Sequence, residues 1–403
     1  MGATRQCVWL IIFSLLLHLA GYLMLFKKME PFLYFFYLTS WWSYIFFIDA
    51  LVAIKTKRLL ILNRHLPFLI IVSCGFWCIF EIMNIGLKNW FYINLPAEVY
   101  YRYTGYFFAY GTVIPAIYIT KTFSQSLFEK IKTKPFRIKH YPFYSISLGI
   151  MFLFLICLFP DHLFPLTWIF LALILDGCNY QRGYTSFMKD FTDGNPGNFL
   201  AAMFSGLICG LLWEAWNFLS ISKWIYSVPF FEDLKIFEMP IPGYTGFLVF
   251  GLETVAFVNF LVGIRSSRRL FSFVAVIAFV FSIITFTLID RYTVFSYAPE
   301  IEDIDFIGKE KLNYLKMAGV RTSFGINANL LSLQEREDMK LLHLKGLGLQ
   351  KYLKLKGQGI KNIDDLSKLD DSALSKILDE ENMRRVRVYL KAAKKAVSVE
   401  RLQ

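Results

Sequence analysis

Histidine is scarce in this sequence: there are five in 403 residues, and only His18 falls within an apolar run. No Ser–His pattern, phosphate-cradling glycine loop or metal-ligand spacing is recognisable, so triad hydrolysis, P-loop chemistry and zinc catalysis find no support in it. Cysteine is also thin. Cys7, Cys74, Cys78, Cys157, Cys178 and Cys209 all lie in or beside apolar runs. Cys74 and Cys78 share a helical face, but no histidine or second cysteine pair joins them. They read as small packing residues rather than a zinc site. The first apolar run, Leu10–Leu25, has no small-x-small cleavage site and is followed by Lys27-Lys28, so it is read as a retained helix and not a signal peptide. No cofactor and no metal is expected.

What the sequence does have is apolar and aromatic side chains. It is 56% hydrophobic and 18% aromatic, with a mean hydropathy of +0.46. This suits a chain whose solvent is lipid over much of its length. Charge is divided unevenly. The first 290 residues hold 22 of the 43 Lys and Arg, mostly in short gaps between apolar runs; the remainder are mixed with 16 acids in the last 113 residues. Two regions follow: a transmembrane domain over 1–295 and a small soluble domain over 298–403.

A helix needs about 20 apolar residues to cross the hydrocarbon core, and its backbone must satisfy its own hydrogen bonds there. Nine runs qualify: 7–26, 32–54, 66–86, 104–120, 143–160, 163–180, 199–220, 245–264 and 270–290. Alternate gaps carry 16 and six Lys and Arg. The positive-inside rule then puts the N-terminus in the cytoplasm and, after nine crossings, the soluble domain outside. A multi-pass protein of a cell membrane is expected, with the bacterial inner membrane as the expected site.

The membrane region repeats itself. Phe80-Glu81-x-x-Asn84 and Trp213-Glu214-x-x-Asn217 share one pattern. Each is followed by Trp-x-Tyr (Trp90 to Tyr92, Trp224 to Tyr226), then Pro96 or Pro229, then Thr104-Gly105-Tyr106 or Thr245-Gly246-Phe247. Upstream, Trp41 precedes Asp49 by eight residues, as Trp168 precedes Asp176. The expected fold is therefore an all-α bundle of two parallel four-helix repeats, about 7–121 and 143–264, plus one added span at 270–290. An even number of helices per copy implies an axis along the membrane normal.

Acids at membrane depth are costly and mark functional positions with a partner. The sequence offers Asp49, Glu81, Asp176, Glu214 and Glu253. Glu81 with Asn84, and Glu214 with Asn217, lie three apart on a helix face. Glu81, Asn84, Glu214, Asn217, Asp49 and Asp176 are the candidate catalytic residues. The plainer alternative is interhelical bonding that glues the bundle. Trp90, Tyr92, Trp224, Tyr226, Glu238 and Glu253 are candidate substrate contacts. The aromatic four among them could equally form an interfacial belt. Gly206 and Gly210 form a GxxxG and point to close helix packing.

In the tail, Leu344-Lys-Gly346-Leu-Gly348, followed by Leu353, Gly359-Ile360, Ile363 and Leu366, resembles a helix-hairpin-helix unit. Phe306-Ile-Gly308 with Leu312, Leu315 and Gly319-Val320 is similar to a more degenerate second copy. The resemblance implies backbone N–H groups that approach a DNA phosphate, with Lys345, Lys351, Lys354 and Lys356 suited to phosphates. The crossing count places the domain outside, so a protein partner is expected there and nucleic acid is not. Membrane lipids are the other expected partner.

The repeated aromatic-Glu-x-x-Asn and Trp-x-Tyr pattern resembles a family of bacterial polytopic membrane proteins, a likeness that brings no function with it. A looser likeness is to membrane-embedded lycopene cyclases. The chain lacks their Pro-x-Glu-Glu/Asp pattern, with only Glu238-Met-Pro240 near in kind. Three readings stay open. One is an enzyme acting on a lipid or isoprenoid, in which a buried acid protonates a polyene and aromatic faces stabilise the cation. The second is a transporter of a small or lipidic solute. The third is a membrane scaffold whose tail recruits a partner.

Overall fold

The computed structural model describes residues 2–231 and 234–400, so the last three residues of the expected tail domain lie outside it. The apolar runs form helices, and eight segments among the described residues are long and apolar enough to cross a membrane. In chain order the membrane part consists of α1 (Gly2–Phe26), α2 (Phe36–Thr56), α3 (Leu66–Leu87), β1 (Trp90–Ile93), α4 (Val99–Tyr110), α5 (Val113–Ser124), α6 (Tyr141–Leu158) and α7 (Pro160–Leu163). It continues with α8 (Phe170–Gln181), α9 (Phe187–Thr192), α10 (Gly197–Leu219), β2 (Lys223–Tyr226), β3 (Lys235–Ile236), β4 (Met239–Pro240), α11 (Tyr244–Ile264) and α12 (Arg268–Tyr292). Helix α1 packs on α2, α6 on α8, α10 on α11, and α12 on α3.

The run expected as a single span over 104–120 is instead two short helices, α4 and α5. Pro115 has no N–H to return to the Gly111 carbonyl, so the ladder breaks there. Ser73 repairs the gap: its hydroxyl donates to the Tyr110 carbonyl at 2.7 Å and accepts from the Ile114 N–H at 3.0 Å. A break at membrane depth is tolerable when its backbone groups find such partners.

The Trp-x-Tyr elements are strands. β1 and β2 pair antiparallel, with Trp90 opposite Tyr226, Phe91 opposite Ile225, and Tyr92 opposite Trp224. Residues 293–298 run parallel along the other side of β1. The Tyr92 N–H donates to the Thr293 carbonyl at 2.8 Å, and the Phe295 N–H to the Tyr92 carbonyl at 2.7 Å. Side chains alternate across a strand. Trp90, Tyr92, Trp224 and Tyr226 accordingly join the bundle core. Phe91, Ile93 and Ile225 pack the other way, against Phe295 and Val388.

Val388 belongs to the tail, whose helices are α13 (Lys309–Met317), α14 (Leu333–His343), α15 (Gly348–Gly357), α16 (Ile363–Ser367), α17 (Asp371–Leu378) and α18 (Met383–Glu400). They enclose a core of their own, centred on Tyr352, Leu355, Leu374 and Tyr389. Helix α14 starts at a Ser332–Glu335 capping box. The hairpin glycines face the membrane part. Gly346 and Gly348 both have positive φ, and an added Cβ would meet Ile93 at 2.3 Å and Ser296 at 2.7 Å. The lysines expected to suit phosphates have internal partners: Lys345 with Glu238 at 2.6 Å, Lys351 with the Phe295 carbonyl, Lys354 with the Leu378 carbonyl and Lys356 with Asp338.

Close packing of α10 on α11 rests on glycine. A Cβ at Gly206 would lie 2.1 Å from the Phe247 carbonyl oxygen, whereas one at Gly86 would meet nothing within 4 Å. Gly206→Ala is therefore expected to lower the melting temperature in detergent, since overpacking costs about 1–3 kcal/mol. Gly86→Ala should raise it, a helical glycine costing about 0.5–1 kcal/mol relative to alanine. Burial against Phe324, and then the charge of Lys28, push the His343 pKa down to about 4 from 6.5. The folded state thus resists the proton. The contribution of neutral His343 is full above pH 6.5 and fades as pH falls toward 4. His343→Gln should flatten the fall in melting temperature over that window.

Candidate functional site

Helix α3 places Trp77, Glu81 and Asn84 on one face. Glu81 is fully buried and well supplied with donors. Its Oε1 accepts from Trp77 Nε1 at 2.8 Å, the Tyr92 hydroxyl at 2.6 Å and Trp90 Nε1 at 3.3 Å. With the Tyr92 proton committed to Glu81, the Tyr110 hydroxyl donates to Tyr92 across 3.0 Å. Asn84 holds the backbone that follows it. Its Oδ1 accepts from the Asn89 and Trp90 N–H groups, and its Nδ2 donates to the Trp90 carbonyl.

Helix α10 repeats this arrangement with fewer donors. Asn217 donates to the Trp224 carbonyl at 3.0 Å and accepts from the Trp224 N–H at 3.1 Å. Glu214 is fully buried, and its Oε1 accepts from the Tyr226 hydroxyl at 2.7 Å. But Gly210 stands four residues before Glu214, where Trp77 stands before Glu81, and the Phe247 ring fills the space. Glu214 Oε2 has no hydrogen-bond partner among the described residues. Two carboxyls in matching frames therefore differ: one is saturated and the other has an open oxygen.

Between α3, α10 and the strands lies a cavity of about 110 Å³. Its wall contains Trp77, Trp90, Trp168, Trp213 and Trp224, five of the nine tryptophans in the chain, together with Tyr37, Tyr92, Tyr106, Tyr110 and Tyr226. Trp168 reaches across from the start of α8 to stack on Phe80 with ring centroids 5.6 Å apart, and Trp41 meets Trp213 at 6.1 Å. Arg102 is the cation in the wall of α4. Its guanidinium is fixed by Asp290 at 2.7 Å and by the Pro96 and Ala97 carbonyls, and lies 4.7 Å from the Tyr297 ring. Sequence reasoning missed the Arg102–Asp290 pair, although an acid at the end of an apolar run was the available signal.

The remaining candidates lie elsewhere. Asp49 accepts from the N–H groups of Leu60, Ile61 and Leu62, and Asp176 from those of Phe187 and Met188 and from the Tyr141 hydroxyl. Asp49 ties down the loop that follows its helix and Asp176 holds the first turn of α9, and neither lines the cavity. Glu253 Oε1 accepts from the Leu171 N–H at 3.0 Å, and its Oε2, like that of Glu214, has no partner among the described residues. Glu81, Glu214 and Glu253 all stand outside the cavity wall, but Glu81 and Glu214 reach it through Tyr92 and Tyr226. Glu238 sits in the β3–β4 turn, paired with Lys345. Of the candidate substrate contacts, Trp90, Tyr92, Trp224 and Tyr226 line the cavity. The asparagines serve the strands rather than the carboxyls.

His18 Nδ1 lies 2.8 Å from Ser43 Oγ, a pairing hidden in the sequence. The Ser43 hydroxyl donates to the Ser40 carbonyl, so it accepts from the imidazole and is not set up as a nucleophile. No group of three or more His, Cys, Asp or Glu that could hold a metal ion occurs among the described residues. No family model, curated protein or solved structure matches the chain.

The difference between the carboxyls has a measurable consequence. Glu81→Gln turns an acceptor toward three donors into an amide, and should destabilise the protein by about 1–3 kcal/mol. Glu214→Gln disturbs one hydrogen bond and should cost less. Thermal unfolding in detergent would rank them, and the reverse order would remove the distinction.

Proposed function

We propose that the tryptophan-lined cavity receives the apolar part of a membrane lipid or isoprenoid, and that Glu214 is the acid that acts on it. The carrying observation is the open Oε2 of a fully buried carboxyl that stands behind the chamber wall and is joined to it through Tyr226, a wall residue. Glu214 would deliver a proton to a carbon–carbon double bond, leaving a carbocation and a carboxylate. Indole and phenol faces stabilise such a cation. The carboxylate then takes a proton from a neighbouring carbon. The net change is an isomerisation or cyclisation that needs no co-reactant. Glu81, Asn84 and Asn217 keep the walls in place, and Tyr226 orients Glu214.

We also infer nine passes in two related halves. β1 follows α3 and β2 follows α10, and the two strands pair, so an even number of crossings must separate them. Helices α6, α8 and α10 supply three, which makes the broken α4–α5 unit the fourth. The pairing register is symmetric about Phe91 and Ile225, as a two-fold axis along the membrane normal requires. The matching Asn84 and Asn217 bonds support the same reading. Charge bias supports a cytoplasmic N-terminus and an extracytoplasmic tail.

A transporter is the second reading, favoured by the broken α4–α5 helix that flanks the cavity. The cavity wall draws no residue from the loops at 57–65, 125–140, 182–196 or 265–267, which favours one-sided entry and the enzyme. The two are separable with Glu214→Gln. If the protein is an enzyme, lipids extracted from cells carrying it differ in mass or double-bond position from wild type. Normal lipids together with loss of proton-driven flux in proteoliposomes would favour transport instead.

A further inference from the structure

On the tail side the aromatic chamber adjoins a second cavity, of about 510 Å³. Tyr34, Pro96 and Tyr101 belong to both walls. This vestibule is composite. The membrane part contributes Glu30, Pro31, Ala97 and Glu98; the tail contributes Glu300, Ile301, Glu302, Lys316 and the turn from Gly319 to Thr322. The two parts are fastened together around it. The Glu30 carboxylate accepts from the Arg321 N–H at 2.6 Å and the Thr322 N–H at 3.2 Å, and Arg321 pairs with Glu98. Backbone amides of the tail thus hold a carboxylate of the membrane part.

The charges of the vestibule do not balance. Its wall has four acids, Glu30, Glu98, Glu300 and Glu302, against two bases, Lys316 and Arg321. Beyond the shared residues the surface is mainly aromatic, and its two cations are engaged by the protein itself, Arg102 with Asp290 and Lys223 with the Phe218 carbonyl. The chamber is small beside the roughly 300–1,000 Å³ of sites that enclose a whole ligand. Together the two spaces offer a polar, acidic antechamber and an apolar inner end, with the half-exposed Phe35 and Leu38 of the α2 start in the chamber wall.

We propose that the ligand is an amphiphile with a positively charged headgroup, seated in the vestibule, with a segment of its chain in the aromatic chamber. This rests on the reading that the chamber takes an apolar chain. The tail domain is then a wall of the binding site. A diphosphate or other anionic head is disfavoured by the acidic vestibule.

The test uses the full-length protein in nanodiscs and follows tryptophan fluorescence during titration with three probes of one chain length: dodecyltrimethylammonium, dodecyl maltoside and dodecyl sulfate. The cationic probe should bind about fivefold more tightly than the neutral one at low salt, with the gap closing as salt screens the vestibule. Glu300→Gln with Glu302→Gln, at exposed positions, should bring the cationic probe to the affinity of the neutral one and leave the neutral one unchanged. Equal binding of cationic and neutral probes by wild type, or tighter binding of the sulfate, would overturn the headgroup assignment. Failure of all three probes to perturb the chamber tryptophans would overturn the chain-binding reading itself.

Discussion

Two four-residue strands must satisfy their backbone where the helices end, and most of the molecule is arranged around that need. Neither strand could stand alone, because an isolated two-stranded ribbon is marginal. Each is started by an asparagine at the end of a long helix, which bonds both backbone groups of the first tryptophan. Each then pairs with the other, and residues 293–298 supply a third edge. The pairing joins the two halves of the bundle. Its alternation gives aromatic side chains to the chamber below and Phe91, Ile93 and Ile225 to the tail above.

The carboxyls show how a symmetric frame acquires an asymmetric site. Glu81 and Glu214 occupy matching positions and each receives a tyrosine hydroxyl. What differs is the tryptophan donors: Trp77 and Trp90 both reach Glu81, and neither matching position supplies one to Glu214 among the described residues. Trp77 brings a donor to Glu81, whereas Gly210 brings none and admits the Phe247 ring. A buried carboxyl oxygen without a partner is costly, and such costs are kept where chemistry or ligand binding needs them. One carboxyl is thereby saturated, and the other keeps an open oxygen.

The tail follows the same economy of backbone groups. Its glycine turns are the kind that admit close approach of another molecule. Here the approach is made by Ile93, Ser296 and Glu30 of the same chain. The vestibule is what remains between the docked surfaces.

By itself the sequence determined eight of the apolar helices and the presence of paired motifs. Hydropathy, charge partition and helix-face spacing are local properties, and lipid leaves the backbone few alternatives to a helix. It did not reveal that Trp-x-Tyr is a strand, since three residues carry too little alternation to be told from an aromatic belt. Nor did it distinguish Glu81 from Glu214, or show that Asn84 and Asn217 serve the backbone while Asp49 ties a loop and Asp176 holds a helix start. Those roles depend on which donors reach each oxygen, and the donors come from separate elements: β1 for Glu81, β2 for Glu214, the loop after α2 for Asp49 and the first turn of α9 for Asp176. Only tertiary packing decides which groups meet, because a hydrogen bond is settled by distance and direction rather than by composition.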